Sequence, residues 1–85
     1  MKVKELFDRN KNRVIIQYHK GIKHKFNNYE EYEQYLNDCF GDKVVNSVLT
    51  EDLEDRASDV YTLEFDLKDN EGRIFNYESF MWVVQ

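Results

Sequence analysis

The sequence predicts an α+β domain: a small antiparallel sheet, built from an N-terminal hairpin and a C-terminal three-stranded meander, packed against one main helix, with a short N-terminal helix. Three patterns predict it. Tyr29, Tyr32, Leu36, Cys39 and Phe40 recur at helical spacing, while Val14, Ile16 and Tyr18, and again Tyr61, Leu63, Phe65 and Leu67, alternate with their neighbours as strands do. The 85 residues suit one domain over residues 1–85. A chain this short buries only about 60–65% of the surface it exposes unfolded.

Taken in order, Val3, Leu6 and Phe7 sit at helical spacing, which predicts a helix over residues 3–9 with Asn10 as a left-handed stop. A strand follows from Arg13, and Gly21 turns the chain back. A two-residue turn at Lys20-Gly21 would pair Ile16 with Lys25 and Tyr18 with Lys23. A three-residue loop, Lys20 to Ile22, would instead pair Ile16 with Phe26 and Tyr18 with His24. The second register keeps one apolar face and is the expected one. It leaves Lys23 and Lys25 in solvent beside Gln17 and His19.

The main helix is expected over residues 27–41. Asn27 and Asn28 each stand three residues before a glutamate (Glu30, Glu31), an asparagine form of the reciprocal cap, and Gly41 suits the left-handed C-terminal position. Val44, Val45, Val48 and Leu49 predict a short strand, and the polar run TEDLEDRASD predicts an exposed loop. The last hairpin closes on Asn70-Glu71-Gly72, with Gly72 at positive φ. Its simplest register pairs Leu67 with Phe75, Phe65 with Tyr77, Leu63 with Ser79 and Tyr61 with Met81. Residues 80–84 are apolar on both sides, which places the last strand centrally in the sheet.

Apolar residues make up 41% of the chain and aromatic residues 15%, enough to collapse into a core. The apolar runs fall far short of the roughly 20 residues that span a bilayer, and MKVKELFDRN lacks the apolar centre of a secretory signal. Cys39 is the one cysteine, so no internal disulfide forms and a reducing compartment is expected. The expected location is therefore the cytoplasm, with no membrane partner. A bias toward Asn, Lys, Tyr and Phe, with one alanine (Ala57) and no proline, is that of AT-rich coding and suggests low-GC bacteria, their phages or plasmids.

Charge is strongly divided along the chain. Residues 1–26 hold eight Lys or Arg against Glu5 and Asp8, a balance of +6, while the remainder holds four against fifteen carboxylates, or −11, within a net charge of −5. Acidic side chains at Glu51, Asp52, Glu54, Asp55, Asp59, Glu64 and Asp66 suggest a surface offered to a basic groove that otherwise holds nucleic acid. The function expected from them is that of a non-enzymatic protein-binding module, an inhibitor of the anti-CRISPR or anti-restriction type, encoded by a phage or mobile element and aimed at a host nucleic-acid-handling protein. Arg13, Lys20, Lys23 and Lys25, beside Tyr18, suggest the alternative of direct nucleic-acid binding by the hairpin. A homo-oligomeric structural protein, a homodimer or larger, joined through the apolar C-terminal strand is a third expectation.

Catalytic chemistry finds little footing. His19, His24 and Cys39 are too few for a structural zinc site, and no third group orients them as a nucleophile and base. Cys39 falls on the apolar stripe, where a thiol serves as a small hydrophobe. Gly21, Gly41 and Gly72 are isolated, so no phosphate-cradling loop is present. No enzyme activity, metal, cofactor or small-molecule substrate is expected.

Overall fold

The computed structural model describes residues 2–41, 43–51 and 59–85. Its elements run in the order α1 (Val3–Arg9), β1 (Ile15–His19), β2 (Ile22–Phe26), α2 (Tyr29–Phe40), β3 (Val44–Glu51), β4 (Val60–Lys68) and β5 (Ile74–Val84). The strands form one antiparallel sheet in the order β2-β1-β5-β4-β3. This is the expected α+β arrangement of hairpin, helix and meander. β5 takes the central place that its two-sided apolar run calls for.

The ends of α2 follow the local chemistry. Asn28 accepts the Glu31 backbone N–H at 2.9 Å, and the Glu31 carboxylate reaches back to the Asn27 backbone N–H at 2.8 Å. Those hydrogen bonds from Asn27 hold the Glu31 carboxyl below its usual range. Gly41 ends the helix at φ 64°. Asn10, expected to stop α1 in a left-handed conformation, has φ −126°. It ends that helix through its side chain, which donates to the Leu6 carbonyl at 2.8 Å.

Both hairpins depart from their expected registers, each by one residue. In the first, Lys20 and Gly21 have φ 50° and 80°, so the turn has two residues, and Ile16 pairs with Lys25 and Tyr18 with Lys23. Two positive φ values suit the mirror-image turn whose twist matches that of the strands, and this outweighs the uniform apolar face of the longer loop. Ile15 and Gln17 therefore face the helices. Ile16 and Tyr18 turn away, with Lys23 and Lys25 beside them.

In the second hairpin the loop is as expected. Gly72 has φ 81°, and the Asp69 carboxylate accepts the backbone N–H groups of Glu71 and Arg73, both at 2.9 Å. The correction comes just beyond it. Lys68 pairs with Ile74 but Leu67 pairs with Asn76, so Phe75 is an extra residue in a β-bulge. From there Phe65 opposes Glu78, Leu63 opposes Phe80 and Tyr61 opposes Trp82. Phe80, Trp82 and Val84 go to the core, while Tyr77 and Met81 are exposed.

The core is largely aromatic. Phe7 of α1, Phe26 of β2, Tyr32 of α2 and Trp82 of β5 meet with Tyr32 to Trp82 centroids 5.2 Å apart and Phe26 to Trp82 centroids 5.7 Å apart. Trp82 and Phe26 are fully buried, each worth roughly 2 to 3 kcal/mol of transfer free energy. The Tyr32 hydroxyl meets Ser47 Oγ at 2.8 Å, and burial pushes its pKa up to about 12. Cys39, expected on the packed stripe, is exposed. It lies on the β2 side of α2, where the sheet ends, and Tyr35 packs on Phe26 there instead.

One polar pair sits inside this core. Gln17 is 4% exposed, its side-chain oxygen accepts the Trp82 indole N–H at 2.9 Å, and its amide donates to the Tyr35 hydroxyl at 3.4 Å. Gln17 and Trp82 are also register partners across β1 and β5. Replacing Gln17 with Leu leaves the indole N–H unpaired and is expected to cost about 1 to 3 kcal/mol. On a Trp82→Phe background the same replacement is expected to cost much less. Urea denaturation of the four proteins of this cycle measures the coupling, and additive losses would show that the bond carries no weight.

Candidate protein-binding face

Helices α1 and α2 both lie on one side of the sheet, so the other side of all five strands is a separate surface. Strand alternation puts Ile16 and Tyr18 of β1, Tyr77 and Met81 of β5, and Val48 of β3 on it. Tyr77 is 55% exposed, Val48 54% and Met81 45%. Large apolar side chains left in the open on one face are a feature of binding surfaces, here with Ser79 between Tyr77 and Met81 and Glu64 between Val48 and β5.

Charge flanks this apolar middle on two sides. Lys23 and Lys25 stand on β2, with the Lys23 ammonium 5.4 Å from the centre of the Tyr18 ring. Glu64 and Asp66 stand on β4, next to β5, and among the described residues neither pairs with a lysine or arginine. The Tyr77 phenol titrates above its usual 10.0, first through loss of solvent and then through the charge of Glu64, a hydrogen bond to Glu64 and the charge of Asp66. The bulge at Phe75 is what brings this ring to the two carboxylates.

The remaining expected site residues scatter. Glu51 closes β3, in register with Tyr61, and Asp52, Glu54 and Asp55 lie outside the described residues. Asp59 accepts a hydrogen bond from Arg13 at 2.8 Å, joining a cation of the basic half to a carboxylate of the acidic half. Both side chains are about two-fifths exposed, so the pair adds little stability. Arg13 also donates to the Val84 carbonyl at 3.2 Å, which ties it to the end of the sheet and away from Lys23 and Lys25. Lys20 is exposed in the hairpin turn.

Tyr77 and Met81 are the functional candidates that sequence reasoning places in the core. The signal for their true position is the adjacent apolar pair Ile74-Phe75, which breaks strict alternation just after the turn.

Other chemistry is sparse. His24 and Cys39 line one open groove of about 570 Å³ with Lys25, Glu31 and Tyr35, and the His24 ring lies against Tyr35. His19 is elsewhere, 2.9 Å from the Glu78 carboxylate and against Phe80. Among the described residues no three His, Cys, Asp or Glu side chains converge as a metal ion needs, and no helix is long and apolar enough to cross a membrane. Neither a protein-family model, nor a curated protein, nor a solved structure matches the chain.

The carboxylates and the ring can be tested together. Glu64→Gln with Asp66→Asn is expected to bring the Tyr77 titration down toward 10.0. Ultraviolet titration, with Tyr77→Phe to identify the phenol, reads the change. An unmoved titration would place both carboxylates away from the ring.

Proposed function

We propose that this chain is a non-enzymatic protein-binding module that acts through the open face of its sheet. The observation that carries this reading is the uncovered middle of Tyr77 and Met81 beside Glu64 and Asp66, two carboxylates with no cationic partner among the described residues. An apolar centre with a charged rim is the make-up of a protein interface. The finer reading is a phage- or mobile-element-encoded inhibitor, anti-CRISPR or anti-restriction in type, that binds a nucleic-acid-handling protein in the host cytoplasm.

Charge supports the finer reading. The net charge is −5, and two strand residues two apart place their carboxylates roughly 6 to 7 Å from each other, a sparser array than the one charge per ~1.7 Å of axis that duplex DNA carries. A groove lined with Lys and Arg would take them in place of phosphates and associate fast at low salt. Direct nucleic-acid binding by the hairpin has its own observation, Lys23 and Lys25 flanking Tyr18 on the same face.

Affinity capture from a nuclease-treated low-GC bacterial lysate separates the two. The proposal expects the parent chain to retain a nucleic-acid-handling protein that added double-stranded DNA releases, and expects E64Q/D66N to lose it. A second variant, neutralised at Glu51, Asp52, Glu54 and Asp55, reports whether those acidic residues contribute. Capture that survives both variants but fails with K23A/K25A would sink the acidic reading and favour the basic hairpin.

A further inference from the structure

We infer that β5 takes on an extended, basic segment of the partner as an added strand, in the step where it runs past the first hairpin. This deepens the function proposed above and rests on it for the partner, since it names how a cationic protein would join the open face.

The step follows from unequal strand lengths. β1 accompanies β5 only from Val84 to Met81 and then turns away at Lys20-Gly21, while β5 runs on to Ile74 against β4. Among the described residues no strand lies along the other side of that stretch. The direction of its main-chain groups follows from the bonds at its end. Gln85 and Val14 exchange hydrogen bonds at 2.8 and 3.0 Å, toward β1, whereas the Val84 N–H donates to the Asp59 carbonyl at 3.1 Å, toward β4. With a period of two, the N–H and C=O groups of Ser79 and Tyr77 point into the step, and among the described residues no turn or loop bonds to them. What completes a row of open main-chain groups is another extended chain.

The side chains around the step select the kind of chain. Ile74, Phe75 and Tyr77 are each more than half exposed along it, and Ile22, 70% exposed, stands at the hairpin tip. No lysine or arginine lies between Ile74 and Phe80 to blunt this edge, whereas the outer edge of β2 carries Lys23 and Lys25. A residue opposite Tyr77 on the added strand shares the open face with it, and Asp66 stands on the other side of the ring as its register partner. Lys23 already makes the matching contact in the first hairpin, opposite Tyr18 with its ammonium 5.4 Å from the ring centre. An arginine or lysine opposite Tyr77 repeats that contact and leans toward Glu64 and Asp66, which have no cationic partner among the described residues. On the reverse face Glu78 is already 2.9 Å from His19, so the alternate positions of the added strand suit valine or another β-branched residue. The Lys20-Gly21 turn at one end and the loop of Arg73, which is paired with Asp69 and Glu71, at the other leave room for about five residues, roughly 17 Å of ladder. The bulge at Phe75 twists the far end, so binding is modest and weakened by salt.

A heptapeptide of alternating valine and arginine, blocked at both ends, is the probe. When it is added to the purified chain, hydrogen exchange followed by NMR is expected to slow at the Tyr77 amide. N-methylation of its arginines removes the N–H groups that face β5 and is expected to weaken binding by about tenfold or more, while N-methylation of its valines, whose N–H groups face away, leaves it bound. E64Q/D66N, shown to be folded by circular dichroism, is expected to bind the peptide about tenfold more weakly and with a flatter salt dependence. Equal binding with either set of N–H groups blocked, or with glutamate in place of arginine, overturns the inference, as does a Tyr77 amide that stays unprotected. The two readings fail separately. A chain that retains its lysate protein but leaves Tyr77 unprotected keeps the open face and loses strand addition; a chain that takes the peptide but captures nothing keeps strand addition and loses the nucleic-acid-handling partner.

Discussion

A buried indole N–H must find an acceptor, and in this fold Trp82 finds it in Gln17, the one buried polar side chain among the described residues. The bond joins the central strand to its neighbour in the first hairpin. It therefore favours one register between two pieces of chain far apart in sequence, and with it the face to which each side chain of β1 and β5 turns. Slipping β5 by one residue would put Trp82 on the open face and bring Met81 among Phe7, Phe26 and Tyr32. The aromatic core and the bare outer face are two consequences of this one alignment.

The elements were legible in the sequence because they rest on local chemistry. The Asn28 and Gly41 ends of α2, the Gly72 turn and the two-sided apolar run of β5 all depend on residues near one another in the chain. Register was not legible, because alternation with a period of two reads almost equally well one residue out of step. What decides it is backbone geometry. At the first hairpin the twist of a two-residue turn prevails, and at the second the extra residue at Phe75 resets the ladder. Gln17 also misleads, since a polar residue at an alternating position is normally assigned to solvent. Its place in the core depends on an indole 65 residues away.

These two slips rewrite the candidate site. The sequence shows a basic segment and an acidic one, and the fold carries part of each to opposite flanks of a single face. Asp59 leaves that set for Arg13, and Tyr77 and Met81 enter it from the expected core. Glu64 and Asp66 were legible as strand carboxylates, but their neighbours were not, because the bulge alone decides that Ser79 and Tyr77, rather than Glu78 and Asn76, stand opposite them on β5. A face with an apolar middle and charges of opposite sign on either side has more binding options than an acidic loop. A basic groove finds complementary charge at its acidic flank, and a phosphate backbone at its basic one.

The central claim is that Trp82 is sealed inside while its neighbours Tyr77 and Met81 face out. Because Trp82 is the only tryptophan, its fluorescence in the native chain, with acrylamide as quencher, reads that claim directly. A buried residue predicts blue-shifted emission that acrylamide scarcely quenches until urea unfolds the protein. Red-shifted, readily quenched emission from the folded chain would contradict the register, and with it the open face on which the functional account is built.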